Sequence, residues 1–107
     1  MITIEELMKC EIKIGKILSA EKVEGSEKLL KLSIDLGEET PRQILSGVAK
    51  MAPEPELLVG QEVPVIANLA PRMMMGMESQ GMMLCADDGE PVLLHPTRPV
   101  TPGSLVK

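Results

Sequence analysis

Two stretches of the chain alternate apolar and polar residues with a period of two, the pattern of strands that bury one face. In the first, Ile12 and Ile14 fall on one side, Glu11 and Lys13 on the other. After Gly15 the phase slips, and the next apolar residues, Ile17 and Leu18, are adjacent. A glycine with a phase slip predicts a bulge or sharp bend. A strand from Cys10 to Val23, bent there, would serve two faces of a small barrel; the alternative is that Gly15 admits a ligand backbone. In the second stretch Leu30, Leu32, Ile34 and Leu36 alternate with Lys31, Ser33 and Asp35. Glu24-Gly25-Ser26-Glu27 is the turn between the two. Asp35 to Glu39 is an acidic turn, read as solvated. Gln43 to Leu45 begins a third strand, which Ser46-Gly47 stops.

The alternation breaks from Met51 to Gly60. Pro53 and Pro55 frame a loop, and Glu56 to Val59 predicts one helical turn. Gln61 to Asn68 reads as a fourth strand and Gly81 to Ala86 as a fifth, with a methionine-rich loop between them. Asp87-Asp88-Gly89-Glu90 predicts a hairpin turn on its Asp-Gly step, leading into a short strand from Pro91 to Leu94. Before the first strand, Met1 to Lys9 predicts a short helix. Thr3 and Glu6 form a capping box, and Ile4, Leu7 and Met8 share a face expected to close one end of the core. The tail from His95 to Lys107 reads as an extended arm. Three strands, a short helix and two strands is the order of an OB-fold, an all-β five-stranded Greek-key barrel with its helix between strands three and four. The N-terminal helix and C-terminal extended arm are additions to it.

The length, 107 residues, predicts one domain over residues 1–107 that folds without disulfide or metal. Cys10 and Cys85 lie in apolar sequence and predict reduced, buried thiols of a cytoplasmic protein. No apolar run approaches the ~20 residues of a membrane span. No secretory signal opens the sequence. Met1 directly precedes the capped helix, which suits a whole protein or an excised domain equally. Mean hydropathy is slightly positive, which suggests that a second subunit covers the added segments.

Charge narrows the function. The net charge is −5, which argues against gripping nucleic acid by bulk positive charge but leaves room for a local basic face. There is no Phe, Trp or Tyr, so base stacking on aromatic platforms is excluded. Nine methionines supply adaptable apolar bulk, chiefly for the core.

No catalytic constellation can be assembled. His95 has no partners in metal-ligand spacing. There is no phosphate loop or nucleophile elbow. Glu5-Glu6, Glu38-Glu39 and Asp87-Asp88 fall in the helix and in turns. The chain therefore reads as no enzyme and as needing no cofactor. The cations are better placed: Lys16, Lys28, Lys31 and Arg42 fall on strands one to three, which with their adjoining loops are the ligand face of an OB-fold, and Arg72 tips the loop after strand four. They would form a basic groove, or else stand as ordinary solvated cations on outward strand faces. Asn68, Arg72, Glu78, Ser79 and Gln80 lie in the loop before strand five, where binding residues concentrate.

Several ordered motifs resemble one family. They are Ile14-Gly15-Lys16-Ile17, Glu24-Gly25-Ser26-Glu27-Lys28-Leu29-Leu30, Arg42-Gln43-Ile44-Leu45-Ser46-Gly47, Val65-Ile66-Ala67-Asn68-Leu69-Ala70-Pro71-Arg72, and Glu78-Ser79-Gln80-Gly81-Met82-Met83-Leu84-Cys85-Ala86. Together they resemble the tRNA-binding domain shared by the C-terminal part of methionyl-tRNA synthetases, free-standing dimeric tRNA-binding proteins and endothelial-monocyte-activating-polypeptide-like domains. The resemblance implies an OB-fold that binds tRNA by shape and backbone contacts. It implies a homodimer built through the terminal additions, with a synthetase catalytic chain as a further partner. It places tRNA contact on Lys28, Ser79 and Met82, joined by Lys16, Arg42, Asn68, Arg72 and Gln80. Lysine and arginine would meet phosphates; Ser79 and Gln80 would bond a sugar hydroxyl or a splayed base. One departure stands out. The family loop reads Lys-Met-Arg-Gly where this chain has Met73-Met74-Met75-Gly76, so two expected cations are methionines. That lowers the expected affinity and opens an alternative, a chaperone-like or scaffolding dimer that binds protein through the methionine loop.

Overall fold

The computed structural model describes residues 1–107, and its first strand organises the rest. β1 (Ile12–Lys22) pairs antiparallel with β4 (Glu62–Ile66) through Ile12 to Lys16, and with β2 (Leu30–Asp35) through Lys16 to Lys22. One strand thus serves both sides of the barrel, as the phase slip predicts. The bulge itself lies beyond Gly15: the register shifts between Ile17 and Ser19, so Leu18 is the extra, outward residue. Gly15 answers a packing demand instead. A Cβ there would stand 2.4 Å from Ile34 Cγ2 and 2.8 Å from Leu36 Cδ2, far inside contact distance.

β2 continues to β3 (Arg42–Ser46), and with β7 (Met82–Met83) at the far edge the sheet order is β3-β2-β1-β4-β7. Inward residues of these strands, Ile17, Leu30, Leu32, Ile34, Ile44, Val63 and Val65, are fully buried and form one core. Each contributes about 1.5–3 kcal/mol by leaving water. Between β3 and β4 the expected helix is two short 3-10 turns, Ala49–Met51 and Pro55–Leu58. Pro53 and Pro55 have no N–H to continue an α-helical ladder.

Four further expectations change. The methionine-rich loop contains a hairpin, β5 (Arg72–Met74) with β6 (Met77–Ser79). The fifth strand is two pieces: β7 (Met82–Met83) pairs with β4, and β8 (Cys85–Asp87) turns away to pair with β9 (Pro91–Leu93). The helix α1 (Ile4–Leu7) keeps its Thr3–Glu6 capping box but buries no residue. Its apolar face therefore does not close the core; Ile4, Leu7 and Met8 stand exposed. Cys10 is exposed as well, while Cys85 is half-buried.

The C-terminal arm is fastened along the start of β1. Gly103 N–H donates to Ile14 O, Ile14 N–H to Ser104 O and Val106 N–H to Ile12 O. Leu105 and Val106 remain exposed beside α1. No helix is long and apolar enough to cross a membrane.

Candidate functional site

The barrel closes between β3 and residues 78–81, and side chains do much of the closing. Ser79 Oγ accepts the Leu45 N–H at 3.0 Å and donates to Gly81 O at 3.1 Å. Gln80 Oε1 accepts the Gln43 N–H at 3.0 Å, while Gln80 N–H donates to Gln43 O at 2.8 Å. Gln43 Nε2 donates to Glu78 O at 2.9 Å. These are the bonds a neighbouring strand would otherwise make to the free edge of β3. The reason lies in Gly81, whose φ of +139° and whose approach to β4, a Cβ at 2.9 Å from Ile66 O, fix a sharp path for the chain. Side chains then reach where the backbone cannot.

Arg42 clasps the same seam. Its guanidinium donates to Ala67 O and, at 3.0 Å, to Gln80 O, tying the ends of β4 and β6 together. Nε and Nη2 donate to the two Glu38 carboxylate oxygens, each at 2.8 Å. The bidentate bond to Arg42 holds the Glu38 carboxyl below the usual carboxylate range, and raises the guanidinium in turn. So the acidic turn does more than meet solvent. Asn68 is a second tie: Oδ1 accepts the Glu11 N–H at 2.8 Å and Nδ2 donates to Lys9 O at 2.7 Å. It fixes where α1 joins β1.

Beside the seam lies an open cleft of about 330 Å³. Leu45, Ser46, Gly47 and Val48 form one wall, Leu69, Arg72 and Met74 another, and Met82, Met83 and Cys85 complete it. Burial pushes the Cys85 thiol up, so it is no activated nucleophile. The β5–β6 hairpin overhangs this region. Its tip reaches the β1–β2 turn, where Met75 and Met77 sit with Val23 and Glu24. Met73 points into solvent, and Met75 stays more than half exposed although its end lies against that turn.

The eight expected contact residues therefore divide. Arg42, Asn68, Ser79 and Gln80 have their polar atoms engaged in holding the barrel; Ser79 is only 4% exposed. The sequence reading expects these four to meet tRNA; in the structure their polar atoms bond within the chain. Lys16, Lys28, Arg72 and Met82 are exposed. Arg72 and Met82 share the cleft. Lys28 lies at the same end, its carbonyl accepting the Ala49 N–H. Lys16 stands apart, on β1 between Asp35 and Glu62. The two ion pairs of the chain use Lys31 with Glu21 and Arg42 with Glu38. Two of the five cations of the expected groove are thus neutralised. Ser46, Gly47 and Met74 were not singled out for the cleft; a glycine ending β3 without an obvious turn type was the available signal.

A family model described as "Putative tRNA binding domain" matches residues 12–105. The methionine–tRNA ligase of Methanocella arvoryzae is 50% identical over 106 residues, which are 99% of this chain and 15% of that protein. The chain thus spans a small fraction of the length of this synthetase relative. A crystal structure of a MetRS-related protein from Pyrococcus horikoshii superposes with a TM-score of 0.90 at 35% identity, covering 100% of this chain and 98% of that one. That of the chaperone CsaA from Bacillus anthracis superposes with a TM-score of 0.88 at 27% identity, covering 100% and 99%.

Proposed function

The chain belongs to the tRNA-binding domain family, and on that premise we propose that it binds tRNA as a non-catalytic accessory module. The observation that carries this reading is the match of residues 12–105 to the family model. The ligase relative aligns with this chain over 15% of its length, an accessory region rather than the catalytic part. Lys28 and Arg72, exposed and unpaired at one end of the barrel, would hold phosphates, with Met82, which shares the cleft with Arg72, against a base or ribose. Lys16 adds a more distant charge. Arg42, Asn68, Ser79 and Gln80 position this surface without touching RNA.

The module serves a methionyl-tRNA synthetase, in the same chain or as a separate subunit, by raising the local concentration of tRNA. It works in the cytoplasm as a homodimer. Supporting the dimer, Leu7, Met8, Cys10, Ile12, Leu105 and Val106 line an apolar groove of about 310 Å³ between α1 and the arm. A second subunit covering that groove would double the number of phosphate contacts.

The test is a tRNA titration at low and near-physiological salt, with the mass in solution measured in the same buffer. The three unpaired cations of the expected groove, Lys16, Lys28 and Arg72, predict a slope of about 2–3 per chain from 0.7–0.9 per contact, and about twice that where both subunits of a dimer engage one tRNA. Salt-weakened binding by a dimer, indifferent to the anticodon, is the expected result. A dimer without tRNA affinity at low salt would sink the reading.

A further inference from the structure

Gly47 is the one glycine that the fold does not require. Of nine glycines, seven have positive φ and Gly15 is too crowded for a side chain. Gly47 has neither reason: its φ is not positive, and nothing lies within 4 Å of where its Cβ would stand. Glycine loses more backbone freedom on folding than any other residue, so its presence there asks for another explanation. The open space beside it is the cleft. Its amide and carbonyl form no hydrogen bond within the chain. The cleft wall thus offers a bare peptide group, one donor and one acceptor, with no side chain in front of it.

The rest of the lining fits one kind of guest. Leu45, Leu69, Met74 and Met82 give flat apolar contact, and thioethers pack favourably against aromatic rings. Arg72 is exposed on the same lining, and neither of the chain's two ion pairs uses it. At about 330 Å³ the cleft is near the lower limit of ~300–1,000 Å³ for small-molecule sites, a size for one ring system rather than a peptide. We propose that this cleft takes a single unpaired nucleotide, its base lying on Gly47 between Met74 and Met82 and its phosphate on Arg72. The source of that nucleotide rests on the tRNA reading above. A base inside a helix is stacked and paired, so the guest must come from a loop or a free end. In a chain without aromatic residues, this sulfur-lined slot takes the place of a stacking platform.

The test uses the full chain carrying 13C-methyl methionine, titrated with adenosine 5′-monophosphate and, separately, with ribose 5-phosphate. The Met74 and Met82 methyl resonances should shift with the nucleotide in the millimolar range and not with the sugar phosphate. Gly47→Leu, which fills the cleft and leaves Arg72 and the seam in place, should abolish the shifts; Gly47→Ala, checked by the same melting curve, should keep most of them. Absent shifts, or shifts equal in wild type and Gly47→Leu, overturn the proposal. A parallel titration with tRNA separates it from the broader reading. Gly47→Leu should weaken tRNA binding at least about tenfold, the loss of one stacked base, while a blunt RNA duplex binds both proteins alike. If both proteins bind tRNA equally, the cleft proposal falls and the tRNA reading stands. If nucleotide shifts the methyls but tRNA does not bind at low salt, the cleft stands and the tRNA reading falls.

Discussion

Residues 79–81 and residues 73–76 are close neighbours in the chain, and they treat their side chains in opposite ways. Ser79 and Gln80 turn polar groups inward, onto the edge of β3. Met73 and Met75 turn apolar groups outward, and Met73 is 68% exposed. The difference follows from what each segment can pair with. Residues 79–81 run beside a strand edge to which they make one backbone bond, Gln80 N–H to Gln43 O, so hydroxyl and amide supply the others. The hairpin tip extends past the barrel, where no core remains to bury it. In this small barrel, polar residues at the seam therefore build the fold, while apolar residues at the tip stay exposed.

The largest effect should come from breaking the seam. Ser79→Ala leaves the buried Leu45 N–H without an acceptor. An unsatisfied buried donor together with the lost bond to Gly81 predicts a destabilisation of about 2–3 kcal/mol. Thermal melting should show a fall of roughly 10–20 °C for a domain of this size. A variant that melts like the wild type but no longer binds tRNA would return Ser79 to the ligand, and the contrast drawn above would fail.

Arg42 offers a slightly smaller and pH-dependent break. Arg42→Met keeps the stem and removes the bonds to Ala67 O, Gln80 O and Glu38, predicting a loss of about 2 kcal/mol at neutral pH. Because the Glu38 carboxyl is held low by Arg42, its share of stability is present above the ordinary carboxylate range and is lost as pH falls through the depressed value. Melting curves of wild type and variant should therefore converge in acid, though only in part. Glu38 is over a third exposed, so solvent screening keeps its share below ~1 kcal/mol. The bonds to the two carbonyls do not titrate and should persist. A gap that stays constant down to pH 2–3 would mean that the ion pair contributes nothing.

Much of this was legible in the sequence. The alternation in Leu30 to Leu36 and the phase slip in β1 specify a bent strand shared by two sides of a barrel, because side-chain period and burial are locked together in a strand. The Asp-Gly step before Pro91 specifies its hairpin. What was not legible is direction. Nothing local in Ser79-Gln80 distinguishes a hydroxyl that bonds RNA from one that bonds Leu45, some thirty residues away in the chain; only the path fixed at Gly81 decides it. The hairpin β5–β6 was hidden for a related reason. Met-Met-Met has no period, so strand alternation cannot be seen in it. The exposure of α1 was hidden too, since an amphipathic face looks the same whether a core or a second subunit covers it.

The outward methionines can be sharpened by restoring charge. Met73→Lys with Met75→Arg places two cations beside Arg72 on the exposed tip. If that tip faces RNA, tRNA affinity should rise about tenfold at low salt and the salt slope should steepen by about 1.4–1.8, the contribution of two phosphate contacts. Unchanged affinity and slope would show that the tip points away from the bound RNA. Binding of unfolded apolar peptides by the wild type, lost in this double variant, would favour a chaperone-like role for the tip.

The smallest effect tests whether the tip is shaped for folding at all. Met75 has φ of +52° and Gly76 of +77°, the left-handed pair of a two-residue hairpin turn. Glycine takes that conformation freely, and Asn takes it more readily than Met, whose Cβ crowds the following carbonyl. Met75→Asn creates the Asn-Gly turn that such hairpins favour, and should stabilise the chain by about 0.5–1 kcal/mol, a rise of a few degrees in melting temperature. The chain carries a methionine there although a better turn former is available, which is what a residue kept for contact rather than for folding would look like. The decisive readout is therefore the pair of measurements together: Met75→Asn should melt higher and bind tRNA more weakly. Higher melting with unchanged binding would leave Met75 without a role at the interface, and lower melting would mean that its packing against the β1–β2 turn outweighs the strain in its backbone.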